Sequence, residues 1–243
     1  MSSFVNLGNW SGTESVIIAG ESNIGFGRSK NEDNYALAAL PGFPSSLAVV
    51  ADGIGGYSDG EVASACCCRW VLRDFVHRGA AITLGADAGV FLAESIGGAS
   101  RRIYLRNEFD CREHPMGCAI LGVVFTPEEV AFCGAGDCRL YEFSPSEAKL
   151  RQLSSDDVAS DRCTLCNAAG IRYCAELRAE IIRRKPDCFY ILCSDGLHHF
   201  VADDEIAAIL GNAGSPRRAV SLLMRRAILR KAGDNITVVV ARD

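Results

Sequence analysis

Along most of the chain, apolar residues come in short runs bounded by Gly, Asn, Asp or Ser, a pattern that predicts β-strands. Three such runs open it: SVIIAGES (15–22), NYALAAL (34–40) and SLAVVA (46–51). The period then becomes helical over 59–78, entered through Ser58-x-x-Glu61, a capping-box pattern. A second helix is predicted over 86–108, with Gly97-Gly98 in its middle. Strand patterns resume at 117–125, 130–136, 139–143, 149–153, 176–182 (ELRAEII) and 188–194. Two further helices are predicted. One runs from Asp203–Asp204 to Gly211; the other starts at Ser215-Pro216, a cap followed by proline at the first helical position, and runs to Lys231. The run NITVVVAR (235–242) predicts a last strand.

Strands in runs and helices in pairs point to an α+β fold with mostly antiparallel sheets. Two sheets stacked face to face, with helix pairs outside, would bury this many short strands. No repeat, low-complexity stretch or linker divides the chain, so one domain over 1–243 is expected.

Composition narrows the function. The chain is 49% apolar and 23% charged, ordinary for a globular protein. Its net charge of −5 and the lack of any block of five Lys/Arg argue against a nucleic-acid footprint. The N-terminal MSSFVNLGNWSGTES lacks the basic and apolar regions of a signal peptide, and no apolar run reaches the length of a membrane span. A cytoplasmic location without a membrane partner is therefore expected. Adjacent Cys66-Cys67-Cys68 cannot form an orderly disulfide framework, and Cys133 and Cys193 lie inside apolar runs, so the twelve cysteines read as reduced thiols. Cys163-x-x-Cys166, with Cys174 beyond, offers half a zinc site and lacks a second pair.

The acids are placed more tellingly. Glu32-Asp33 and Asp234 precede predicted strands, whereas Asp52, Asp137 and Asp195 follow them. Strand starts and stops share an edge in an antiparallel sheet, so these six acids can meet at one end of the fold. Each alone reads as a turn residue, in EDN, ADG, GDC, SDG and GDN. Gathered without Lys or Arg they would repel one another unless a cation neutralised them, and oxygen donors select Mg²⁺, Mn²⁺ or Ca²⁺ over zinc. Asp52 has two oxygens with which to bridge a pair of ions, and Gly53 lets its carbonyl approach closely.

Seven short motifs then stand in order: Arg28-Ser-Lys-Asn-Glu32-Asp33, Asp52-Gly53-Ile-Gly55-Gly56, Met116-Gly117, Gly136-Asp137-Cys-Arg139, Leu153-Ser-Ser-Asp156, Ser194-Asp195-Gly196-Leu197 and Asp234-Asn235-Ile-Thr237. Together they resemble the metal-dependent type 2C Ser/Thr protein phosphatases in their bacterial form. The resemblance implies a four-layer α-β-β-α sandwich and hydrolysis of phosphoserine or phosphothreonine in proteins, opposing a Ser/Thr kinase. It also implies two Mn²⁺ or Mg²⁺ ions, one held by Asp52, Asp195 and Asp234, the other by Glu32, Asp52 and the Gly53 carbonyl. In this picture a metal-bridging hydroxide attacks phosphorus, Asp33 orients a bound water and Arg28 binds the phosphate.

The departures are specific. Ile54 stands where many eukaryotic members have a histidine acid. Cys118-Ala119 replace a hydroxyl pair. A third ion, held in relatives through the residues matching Asp137 and Asp195, would meet His199 in place of an aspartate. The long flap of the family is reduced to Val158–Ala169, between Asp157 and Gly170. Two rival readings remain. Cys133-x5-Arg139 fits the cysteine-dependent tyrosine phosphatases, although Phe132 precedes the cysteine and a strand pattern follows it. A catalytically weak phosphatase fold that binds or regulates a partner is the other.

Overall fold

A computed structural model describes residues 3–6, 16–54, 59–160 and 164–242. In chain order its elements are β1 (Ser3–Asn6), β2 (Ile17–Asn23), β3 (Asp33–Ala39), β4 (Ser46–Gly53), α1 (Gly60–Arg78), α2 (Gly85–Phe109), β5 (Cys118–Phe125), β6 (Glu129–Ala135), β7 (Arg139–Ser144), β8 (Lys149–Gln152), β9 (Glu180–Arg183), β10 (Phe189–Cys193), α3 (Asp195–His198), α4 (Asp203–Gly211), α5 (Pro216–Leu229) and β11 (Ile236–Arg242). The strands form a sheet of order β1-β3-β4-β5-β6-β9 and a second of order β2-β11-β10-β7-β8. Every pairing is antiparallel except β1 with β3.

Leu47 to Ala51 contains no polar position because β4 is covered on both faces. Leu47, Val49 and Ala51 pack under α1 and α2 with Val71, Phe75, Phe91 and Leu92. Ala48 and Val50 point the other way, into a core shared with Leu140, Tyr190, Leu192 and Val239 of the second sheet. On that sheet's outer face, Ile191, Val238 and Val240 pack with Leu210, Leu223 and Met224 of α4 and α5. The result is the four-layer α-β-β-α sandwich.

Three details depart from the sequence reading. The cap of α1 is Asp59, in a left-handed conformation without a side-chain cap bond, while Ser58 lies outside the described residues. The predicted strand 176–182 begins only at Glu180. Its earlier half is drawn onto α2, where Leu177 packs with the helix core and Ala179 lies against Gly89; Ile181, within β9, lies against Gly85. Gly85 and Gly89 sit one turn apart on α2, and Gly97, two turns further on, has Leu177 as its neighbour, so these three glycines form the helix's contact with this segment. Finally, Asp195 opens the short helix α3 rather than a turn. The cap of α5 is as predicted, with Ser215 Oγ accepting from the Arg218 amide.

Candidate active site

Strand parity decides where the acids point. Tyr35 and Leu37 of β3, Ala48 and Val50 of β4, Tyr190 and Leu192 of β10, and Val239 and Ala241 of β11 face the core between the sheets. One further step of two residues reaches Asp33, Asp52, Ser194 and Thr237. All four therefore lie where the inter-sheet core ends. The β3–β4 register sets Asp33 directly opposite Asp52. Ser194 Oγ and Thr237 Oγ1 each donate to Asp33 Oδ2 at 2.7 Å, and the Thr237 amide donates to Ser194 Oγ at 2.9 Å. One buried carboxylate thus ties the two sheets together.

The loops are fastened to this end by Asn235. Its Nδ2 donates to the carbonyls of Ile24 and Lys30, its Oδ1 accepts from the Glu32 amide, and its own amide donates to Asp234 Oδ1. Gly53 is required by a close approach: a Cβ there would stand 2.5 Å from the Gly60 backbone and 2.9 Å from the Glu32 carbonyl. Arg28 donates from Nε to the Gly233 carbonyl at 2.9 Å and from Nη2 to Asp234 Oδ2 at 2.6 Å.

A cavity of about 550 Å³ opens over this end, lined by Arg28, Glu32, Asp52, Gly53, Ile54, Asp137, Asp195 and Asp234. Five of the six predicted acids therefore reach one cavity, and the sixth, Asp33, sits opposite Asp52 on the neighbouring strand. More of the wall comes from Glu113–Pro115, from Thr164–Ala168 of the shortened loop, and from Ile171 and Arg172 just beyond it. That loop is a small hairpin: the Ala159 amide donates to the Thr164 carbonyl, and the Cys166 amide to that of Asp157. Gly55 and Gly56 lie outside the described residues.

The electrostatics are those of crowded acids. Burial pushes the Asp52 carboxyl well above the usual range, and Asp33, Asp195, Asp137 and Asp234 push it further. Burial raises Asp33 to about 6 against the opposing hydrogen bonds from Ser194 and Thr237. Burial, then Asp195, raises Asp137 to about 6. Glu32 and Asp234 are raised, chiefly by burial. Burial pushes Asp195 up too, yet the hydrogen bond and charge of His199, 3.4 Å away, outweigh it and hold it low. Asp33 Oδ1 and Asp195 Oδ1 are buried without a donor among the described residues. Orphaned oxygens on mutually repelling carboxylates suit a divalent cation. Among the described residues, no three His, Cys, Asp or Glu side chains already converge as a ligand set, and Asp234 is engaged by Arg28.

The thiol rival fails on geometry. Cys133 is buried in mid-β6, and burial lifts its thiol to about 11. Arg139 is clamped on Asp156, with Nη2 at 2.7 Å from Oδ2, and cannot cradle a phosphate for it. The described cysteines are all free, with Cys118 Sγ 3.5 Å from Cys67 Sγ; Cys163 lies outside the described residues. Sequence reasoning quoted Ser194, Asn235 and Thr237 within motifs without giving them roles, although strand parity would have found Ser194 and Thr237. It missed His114 and Arg172, whose loops carry no periodic signal.

Known proteins share this fold. The serine/threonine phosphatase stp of Listeria monocytogenes serotype 4b (strain F2365) is 25% identical over 235 residues, covering 89% of this chain and 92% of that protein. The solved structure of PppA, described as a key regulatory component of T6SS in Pseudomonas aeruginosa, superposes with a TM-score of 0.81 at 26% identity, covering 94% of this chain and 98% of that one. The catalytic domain of the serine threonine protein phosphatase PstP in complex with 2 manganese ions gives a TM-score of 0.74 at 25% identity, covering 93% and 97%. The protein family described as protein phosphatase 2C matches residues 19–224, a stretch that takes in every predicted site residue except Asp234. A match over so much of the chain, on a sandwich whose acids meet at one end, means that the chain belongs to the protein phosphatase 2C family.

Proposed function

We propose that this chain hydrolyses phosphoserine and phosphothreonine esters in proteins with two Mn²⁺ or Mg²⁺ ions, and that it acts in the cytoplasm against a Ser/Thr kinase. The observation that carries the reading is the single cavity lined by Glu32, Asp52, Asp137, Asp195 and Asp234. The ligands proposed are Asp52, Asp195 and Asp234 for one ion, and Glu32, Asp52 and the Gly53 carbonyl for the other. When bound, such ions lower the pKa of water and neutralise phosphoryl charge. Asp137 with Asp195 is the place for a third, where His199 replaces a further carboxylate.

The chain's own groups do the rest. Asn235 fixes the backbone of Glu32 relative to Asp234. Asp33, held by Ser194 and Thr237, sets the position of Asp52 across the strand pair and accepts from a water on its free oxygen. Arg28 offers a planar fork to phosphate oxygens, exchanging its Asp234 partner to do so. Ile54 lines the cavity and has no proton to give, so the leaving group takes its proton from another source than this position. We read the whole chain as one catalytic unit with a shortened flap between Asp157 and Gly170.

The test is turnover of p-nitrophenyl phosphate and of a phosphothreonine peptide with Mn²⁺ and with EDTA. Turnover is expected only with metal, and Asp52→Asn is expected to lower kcat at least a hundredfold, the scale on which loss of a group that stabilises the transition state is felt. A folded, metal-loaded protein without turnover would overturn the reading in favour of a binding or regulatory role.

A further inference from the structure

We propose that Arg172 forms an anion subsite on the rim of the catalytic cavity. It would take a second negative group of the substrate, a carboxylate or another phosphate beside the one being hydrolysed. The inference rests on the phosphatase reading above and adds a substrate class to it.

Arg172 lines the same cavity as Arg28 and the acids. It is exposed, and it makes no ion pair or hydrogen bond with any described residue. Arg28, the other arginine on the cavity among the described residues, already spends its fork on Asp234 and Gly233. Nearby Arg112 is likewise committed, to Asp59 and Asp110. Among the described residues, Arg172 therefore has no partner for its guanidinium donors, and it can offer them to a bound anion.

Its backbone is held on both sides. The Gly170 amide donates to Ser100 Oγ at 3.0 Å, and the Gly170 carbonyl accepts from Asn107 Nδ2 at 3.0 Å. The Ile171 side chain lies over Gly117, leaving no room for a Cβ there. On the far side, the Tyr173 ring meets Tyr104 edge to face at 5.8 Å, with the Arg101 guanidinium 5.2 Å from its centroid. An arginine on so fastened a segment has less freedom to lose when it binds an anion. The cavity carries five carboxylates and the chain a net charge of −5, so an acidic group of the substrate beside the phosphate being hydrolysed gains from a cation such as Arg172. Glu113 is the opposing charge on the rim.

The experiment compares wild type with Arg172→Ala, Arg172→Lys, Arg172→Glu and Glu113→Gln, all with Mn²⁺. The substrates are p-nitrophenyl phosphate and three phosphothreonine peptides identical except for a flanking Gln, Glu or phosphoserine. Wild type should prefer the two anionic peptides. Arg172→Ala should cut kcat/KM on them about three- to tenfold through KM, well beyond any loss on the Gln peptide or p-nitrophenyl phosphate. Arg172→Lys should keep part of the preference, Arg172→Glu should reverse it, Glu113→Gln should widen it, and salt should narrow it. Which anionic peptide suffers more tells a carboxylate from a phosphate. Equal losses on all four substrates, or no preference in wild type, would overturn the subsite. Absence of p-nitrophenyl phosphate turnover by wild type would instead strike the phosphatase reading. The subsite would then be judged by anisotropy binding of the same peptides to Mn²⁺-loaded protein.

Discussion

Asp33 shows what one residue does in this site. Its carboxylate is buried, and its Oδ2 takes two hydroxyl hydrogen bonds from the opposite sheet. Thr237→Val keeps the shape and removes one of them. A lost bond to a buried charged group costs about 1–3 kcal/mol, so urea unfolding should show a loss in that range, with kcat lowered because Asp52 loses its seat. A variant as stable and as fast as wild type would remove Asp33 from the supporting role given to it. At this scale the sequence was informative by motif. Arg28, Glu32, Asp52, Asp137, Asp195 and Asp234 were all singled out, and all line the cavity. What it did not carry was pairing. Nothing local says that Arg28 rests on Asp234, or that Arg139 is spent on Asp156, since each bond closes over a loop of unrelated residues.

Elements were legible where the period was strong. The bounds predicted for α4 are those observed, because Asp203–Asp204 and Gly211 punctuate it. In the segment 176–182 only the last three residues were legible, because β-propensity is a weak guide where a helix offers a better surface, and α2 presents Gly89 and Gly97 to Ala179 and Leu177. Contacts between elements also bring a pH dependence. Glu205 of α4 accepts from Arg226 of α5 and from Arg230 just past its end, and these hydrogen bonds hold its carboxyl at about 2, below its ordinary 4.5. A carboxyl depressed by folding stabilises the fold above its unfolded value, and that contribution is lost as pH falls through the folded one. Glu205→Gln should therefore be less stable than wild type at pH 7, with the gap closing between pH 4.5 and about 2. Denaturant midpoints across that range would check it, and a gap independent of pH would show that the ion pairs do not bear on stability.

For the whole molecule, the cost is a cluster of carboxylates at one end of an apolar sandwich. A ligand that binds only the folded state stabilises it by mass action, by about 2.7 kcal/mol at a hundredfold excess over Kd. Mn²⁺ should thus raise Tm by roughly 5 °C or more for a chain of this size. Asp52→Asn should be no less stable than wild type in EDTA, because it removes a buried acid, yet should forfeit most of the gain from Mn²⁺. Thermal scans of both proteins with and without metal would decide; an equal gain in both would sink Asp52 as a ligand. The sequence by itself determined the layers and the acid positions. Both follow from local signals, continuous apolar runs for strands buried on two faces and aspartates at their ends. Only the tertiary structure decided that Asp33 lies opposite Asp52, that Asn235 joins the loop before β3 to the one before β11, and that Arg172 lines the cavity with no partner among the described residues. Those outcomes depend on strand register and on which loop passes over the open end, and neither is written in any short stretch of the chain.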